Sequence, residues 1–464
     1  MRKLILLLIT FLLTVFGIIT LYNTFTSFSR QLQIRPSKRM ALNDTLAIAR
    51  LSAALRIPLV SNPSDSIFRA AVNSFPEFLK EAFPNFHQDP SVRLRVFGKN
   101  SILYRWTGRD NRLKPILLIA RIDVQDPDLK KIPQWKFNPF MGKSENGFIW
   151  GAGTMEGKSA AMAILEALEL GQTDGKMPQR SLYLALINES DNNNKSAEQL
   201  AELLKNEGLE FEFILGAESY ISDGVCLGLS KQIAMIGCAE RFELAANIRG
   251  YGAEQLKQKL EKLSAKKMSV NWNGKAGKQL IGTLTPELPF GDKWILSNRY
   301  FFSSLIASRL YSDELLGKML FPEFEIRELK GSDATLRWLI PPDTDTAQFK
   351  KLIKSEFDKE LVEWNNEKTN IRNISNQGGY AYEAIQSSIR QGIGEVLVIP
   401  GIDPKPGMLR YFVGLSPALY NFRPWSFDMA ETERLNSGID HRLSLKQYLL
   451  GVNFYRTLFN NTLF

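Results

Sequence analysis

Histidine and cysteine are almost missing from this chain of 464 residues, which has two of each. Cys226 and Cys238 are too few for a disulfide framework, and their apolar, strand-like surroundings predict buried thiols. His87 and His441 are the only imidazoles in the chain. Internal repeats and low-complexity tracts are also lacking. Positive charge is not scarce: 58 Lys and Arg stand against 49 Asp and Glu, a net charge of +9. It is scattered, however, and no helix-turn-helix, zinc-finger or RNA-binding signature accompanies it. Nucleic acid is therefore not an expected partner.

Only one long hydrophobic run occurs. Leu4–Leu21 is uncharged and follows Arg2-Lys3. About 18 apolar residues are enough to span a bilayer. A cleavable signal peptide would have a shorter apolar region and a small-residue cleavage site, and Tyr22-Asn23-Thr24-Phe25 supplies none. The expectation is an uncleaved anchor, with a polar, basic stalk over residues 22–40. Basic residues flank both ends of the run, so charge alone gives no orientation.

Beyond the stalk, apolar runs alternate with helical patterns. Asp44 can cap a helix at Thr45–Leu55. Pro115–Val124, Ser181–Ile187 and Phe211–Leu215 read as strands buried on both faces. Helices at Lys158–Leu170 and Ala197–Asn206 lie between them. That alternation predicts an α/β fold with a mostly parallel sheet. After Phe242 the order changes: a lysine-rich helix at Tyr251–Lys267, the aromatic segment Trp294–Leu310, strands at Glu325–Leu329 and Ala334–Ile340, and a helix at Thr346–Leu361. Grouped elements of this kind predict an inserted α+β unit. Trp294–Leu310 reads first as an ordinary helix burying its Phe and Leu residues, with a lipid-facing lip as the alternative. The α/β pattern resumes with a helix at Ala381–Arg390, a strand at Glu395–Pro400 and a helix at Leu443–Phe459.

Ligands of open α/β sheets bind at the carboxyl ends of the strands. The segments there are Ala120-Arg121-Ile122-Asp123, the glycine loop Gly151–Lys158, Asn188-Glu189-Ser190-Asp191, Leu215-Gly216-Ala217-Glu218, and Leu435–His441. In this order and spacing, with Trp135, Pro139-Phe140 and Ala418–Phe427 between them, the chain resembles the M20 metallopeptidases from about residue 40 onward. The likeness is greatest to their carboxypeptidase S and N-acyl-amino-acid hydrolase branch. It implies a zinc-peptidase-like catalytic domain over 40–241 and 373–464, a lid or dimerisation domain over 242–372, and an anchor and stalk over 1–39. A homodimer through the inserted domain is implied as well.

Departures from the pattern are chemical. Arg121 stands where the resemblance places the first metal histidine, although Asp123, which would orient it, is kept. Glu156 replaces the bridging aspartate. Ser190 takes the general-base position and Asp191 that of the adjacent ligand. Gly216 and Ser437 take the last carboxylate and histidine positions, and Gly252 stands near a histidine position of the inserted domain. Arg121 is permanently charged, and Ser190 cannot act as a neutral-pH base in place of a tuned carboxylate. The expectation is therefore a catalytically inactive protein needing no cofactor, tethered to a membrane with its body outside the cytoplasm, and binding or regulatory in role. The alternative is a metal-dependent peptidase or N-acyl-amino-acid amidohydrolase with zinc in a rearranged site, recruiting Glu218, His441 or Glu189. Arg410 matches an arginine that would hold the carboxylate of a small ligand. Arg121 is expected to pair with Glu156 or Asp191.

Overall fold

The computed structural model describes the whole chain except residues 1, 38, 61–65, 99, 125–130, 190–194, 225–228, 266–270, 358–360 and 366–371. Ser190, Asp191 and Cys226 therefore lie outside the described residues.

The expected buried strands form because their residues are apolar on both faces. Ile116–Arg121, Leu182–Ile187 and Phe213–Gly216 are buried almost throughout and lie side by side in parallel. They make the centre of a ten-stranded sheet. Leu419–Asn421 extends the parallel part next to Phe213–Gly216. On one flank Val92–Phe97 and Ser101–Trp106 add an antiparallel hairpin. On the other, Ile233–Glu240 receives the parallel strand Leu397–Asp403. The helices Asp44–Leu55, Gly157–Thr173 and Leu445–Thr462 cover one face, sharing a core with Leu118, Leu184 and Phe213. Lys195–Asn206 covers the opposite face through Ala197, Leu200 and Leu204. The architecture is thus α/β, as the alternation of patterns predicts.

Several boundaries differ from the sequence reading. Asn43, not Asp44, caps the first body helix by accepting from the Leu46 amide. The helix beginning at Thr346 stops at Lys354. Trp294–Leu310 is two helices, Phe290–Ser297 and Arg299–Ser312, broken at Asn298.

Residues 242–364 separate into two packing units. Phe242–Ile248, Glu323–Lys330, Asp333–Ile340 and Val362–Trp364 form a four-stranded antiparallel sheet. Its inner face packs on the helices Ala253–Ala265 and Thr346–Lys354 through Leu256, Leu260, Phe349 and Ile353. The helices between Lys275 and Leu320 do not join that core. Leu280, Leu284 and Leu320 pack with Ile233, Met235, Ile399 and Ile402 of the large sheet.

Arg2–Phe25 is a single helix of 24 residues, long and apolar enough to cross a membrane, with only a small part of its most apolar stretch buried. The segment after it is not a free stalk. Gln31 bonds twice to the backbone of Val398, its side-chain amide donating to the carbonyl at 2.9 Å and accepting from the N–H at 2.8 Å. The Ser37 amide donates to the Gln391 carbonyl.

Candidate functional site

Arg121 ends the central strand Ile116–Arg121, and Asp123 lies two residues further. Alternate residues of extended chain share a side, so the two meet: Arg121 Nη2 donates to Asp123 Oδ2 at 2.8 Å and Nε to Oδ1 at 3.3 Å. Asp123 is buried, whereas the Arg121 side chain keeps 31% of its exposure. Of the two expected partners, Glu156 attracts the guanidinium without a hydrogen bond and Asp191 lies outside the described residues; the bonded partner is Asp123, which backbone spacing places there. Burial would depress the guanidinium pKa, but Asp123, then Glu218 and Glu156, raise it overall.

Glu156 reaches the same place from the glycine loop. It stands at the N-terminus of the helix Gly157–Thr173. The helix approaches the strand so closely that a Cβ on Gly157 would lie 2.4 Å from the Arg121 carbonyl oxygen. Gly153, at φ +91°, bends the loop to deliver it. Lys158 is fully buried, donates from Nζ to the Ile57 carbonyl at 2.9 Å, and has its pKa pushed down by burial to about 7.

From the next strand, Glu218 faces Arg121, Arg423 and Arg410, and burial raises its carboxyl pKa against their attraction. Beyond it lies a second carboxyl group of residues. Asn421 Nδ2 donates to Asp403 Oδ2 at 2.8 Å and to Glu240 at 3.5 Å. Ser219 donates to Asp403, and the Gly407 amide donates to Glu240 at 3.0 Å. Burial, with mutual repulsion, pushes Glu240 up to about 8. Burial pushes Asp403 up to about 7 against the bonds from Ser219 and Asn421. A cavity of about 20 Å³ beside them, lined in part by Asn373, Arg410 and Asn421, has room for about one water.

The remaining expected residues divide. Gly216 ends its strand with no room for a side chain, since a Cβ would stand 2.1 Å from Asn421 Oδ1. Ser437 is exposed, and its hydroxyl donates to the Arg434 carbonyl of its own helix at 2.9 Å. His441 is buried beside Trp135 and faces the backbone of Arg434 and Leu435; burial lowers its pKa, although Glu156 and those backbone groups oppose this. Glu189 turns away to cap the helix Lys195–Asn206, accepting from the Ser196 and Ala197 amides. Arg410 lies over the Tyr411 ring and donates to its hydroxyl at 3.0 Å. His87 bonds to Phe83 and Tyr104, away from these groups.

Sequence reasoning missed Arg423, Glu240, Asp403, Asn421 and the burial of Lys158. Glu240 and Asp403 carried a usable signal, because each ends or nearly ends an apolar strand of the same sheet. Arg423 sits inside the Ala418–Phe427 segment already singled out.

A two-metal centre needs several carboxylates or imidazoles converging at about 2 Å from each ion. Among the described residues no group of three or more His, Cys, Asp or Glu could hold one. At the positions implied by resemblance, Arg121 presents a cation, Gly216 no side chain and Ser437 a hydroxyl turned to its own helix. The described residues thus do not fit the group, while Asp191 stands outside them.

Residues 117–460 match the family model described as Peptidase family M20/M25/M40. Over 441 residues the chain is 24% identical to N-fatty-acyl-amino acid synthase/hydrolase PM20D1 of Xenopus tropicalis, covering 89% of this chain and 85% of that protein. It is 28% identical over 453 residues to Probable carboxypeptidase S-like 2 of Dictyostelium discoideum, covering 91% and 86%. The fold is similar to that of the M20 family metallo-carboxypeptidase Sso-CP2 from Sulfolobus solfataricus, with a TM-score of 0.58, 15% identity, and 89% and 98% coverage. These likenesses overturn the expectation that no cofactor is needed, because the matched family includes metal-dependent peptidases.

Proposed function

Because this chain belongs to peptidase family M20/M25/M40, we propose that it is a membrane-tethered member with an impaired hydrolytic centre, whose cleft binds a carboxylate-bearing small ligand. One observation carries this reading: Arg121 is locked to Asp123 at the strand end where the family pattern has a metal histidine. A guanidinium has no lone pair to offer as a ligand, so this position is lost to the hydrolytic centre. Asn421 Oδ1 beside Gly216 supports it, since it fills the space of a ligand side chain. Arg410 is the group for the ligand carboxylate, with Arg423 and Arg121 adding to the positive field. A metal is what the family leads one to expect, so the test supplies it. Full-length protein, purified in detergent and loaded with zinc or cobalt, is assayed on dipeptides and N-acyl amino acids. No chelator-sensitive turnover above background is expected. Turnover that chelator abolishes and Asp191→Ala removes would overturn the reading.

The second reading is an active amide hydrolase, which the similarity to the Xenopus synthase/hydrolase along most of both chains favours. His441, buried near Glu156, would be its first additional ligand. The same assay separates the two. The anchor at Leu4–Leu21, a body outside the cytoplasm, the division at 242–372 and a dimer through that segment belong to the proposal. Intact mass of the membrane-extracted chain tests the first of these.

A further inference from the structure

The last turns of the N-terminal helix are gripped by the inserted helices. Phe16 meets Phe301 edge-on at 5.0 Å and Phe302 at 6.4 Å, and Phe25 lies 6.3 Å from Phe290. Thr20 and Thr24 are buried in this seam. At its centre is Asn298, 1% exposed, which donates to the Thr20 carbonyl at 3.0 Å and accepts from Asn23 at 2.9 Å. It also bonds to the Trp294 carbonyl, so the break between the two helices is shaped around the seam.

Apolar surface continues outward from this contact. Tyr300 is 93% exposed, Phe290 58%, and Phe301 and Leu305 53% each. They are not core residues misplaced, because Leu296, Ile306 and Leu310 of the same helices already fill the core. Depth supports the same reading. A spanning helix advances about 1.5 Å per residue through a hydrocarbon layer of about 30 Å. Counted from Leu4, Phe16 is about 18 Å in, which leaves roughly 12 Å to the far boundary. The first charged residue after the run is Arg30. A ring packed edge-on to Phe16 therefore lies beneath the boundary.

We propose that the ends of Phe290–Ser297 and Arg299–Ser312 around this break enter the bilayer beside the anchor, with Tyr300, Phe301 and Leu305 against acyl chains. The partner is the lipid layer itself, as for interfacial helices that bury an apolar face about 5–10 Å deep. This rests on the anchor reading. It takes up the alternative reading of Trp294–Leu310 for Tyr300, Phe301 and Leu305, while Leu296, Ile306 and Leu310 pack in the core as first expected.

The experiment uses the full chain in phosphatidylcholine vesicles. Tyr300→Cys or Leu305→Cys carries a nitrobenzoxadiazole label, with Leu329→Cys, exposed on the antiparallel sheet, as the control and the unsubstituted chain as the labelling blank. Brominated lipid should quench emission at 300 and 305 about two-fold or more and leave 329 nearly unchanged, the contrast expected of buried and water-facing positions. No quenching at 300 and 305 with the N-terminus intact by mass overturns the lip and leaves the anchor standing. Emission there that follows protein concentration and ignores lipid bromination points to a second copy and overturns it too. If mass shows the helix removed, the anchor reading fails and the lip beside it is overturned with it.

Discussion

Two sets of acids flank Glu218 in the large sheet, and they are neutralised by different means. Around Asp123 and Glu156 a guanidinium is built in, and Arg121 keeps its charge at any pH the protein will meet. Around Glu240 and Asp403 the compensation comes from protons, whose binding burial strengthens until the groups titrate near neutrality. A fixed cation gives a pH-independent scaffold. Shared protons make the neighbouring part of the same cleft sensitive to pH.

Removing the fixed cation should break that contrast most strongly. Arg121→Ala removes the guanidinium bonded to the buried Asp123 carboxylate and should cost about 3 kcal/mol, the low end for breaking a buried pair, because the guanidinium keeps some exposure. A denaturant midpoint equal to that of the parent protein would refute the pairing as a stabilising element. Next comes the proton-compensated pair. Both carboxyls have folded pKa values above their unfolded ones, so between about pH 4 and 8 the folded state holds more protons. Their stabilising contribution is full below the unfolded values and is lost as pH rises through about 7 and 8. Asp403→Asn should flatten that decline and raise stability at pH 8 by about 1–3 kcal/mol, one pKa unit being about 1.4 kcal/mol. Equal pH slopes in both proteins would count against it.

Lys158 has the opposite sign. Its folded pKa near 7 lies below the ordinary lysine value of 10.5, so the unfolded chain binds more protons between them and stability rises with pH across that window. Lys158→Met should remove this alkaline arm, read from thermal midpoints at pH 7.5 and 9.5. Least visible in stability is Arg410→Ala, which should leave the midpoint nearly unchanged. It should nonetheless weaken binding of an N-acyl amino acid about 10- to 100-fold, the worth of a charge-assisted bond. Unaltered affinity by calorimetry would remove Arg410 from the site.

How much of this was legible depends on the distance over which the information acts. Ile116–Arg121 and Leu182–Ile187 were readable because a strand covered on both faces must be apolar throughout. The five strand-end segments followed from the rule that loops at that edge carry ligands. Arg121 with Asp123 could have been read too, from spacing alone, but the motif drew attention to Glu156. The Asn298 seam could not, since it joins side chains 275 residues apart. Nor could the placement of Lys275–Leu320 on the large sheet, because a helix shows an apolar face without showing which neighbour it will meet.

Gln31 has a consequence for how the protein can be handled. Leu397–Asp403 pairs with Ile233–Glu240 on one side and with no other described strand. At Val398 the free side is closed by the Gln31 amide, which offers the donor and acceptor that a neighbouring peptide would. An unpaired strand edge invites pairing between molecules. A soluble version begun at residue 40 would lose this plug and should self-associate, whereas one begun near residue 27 would retain it.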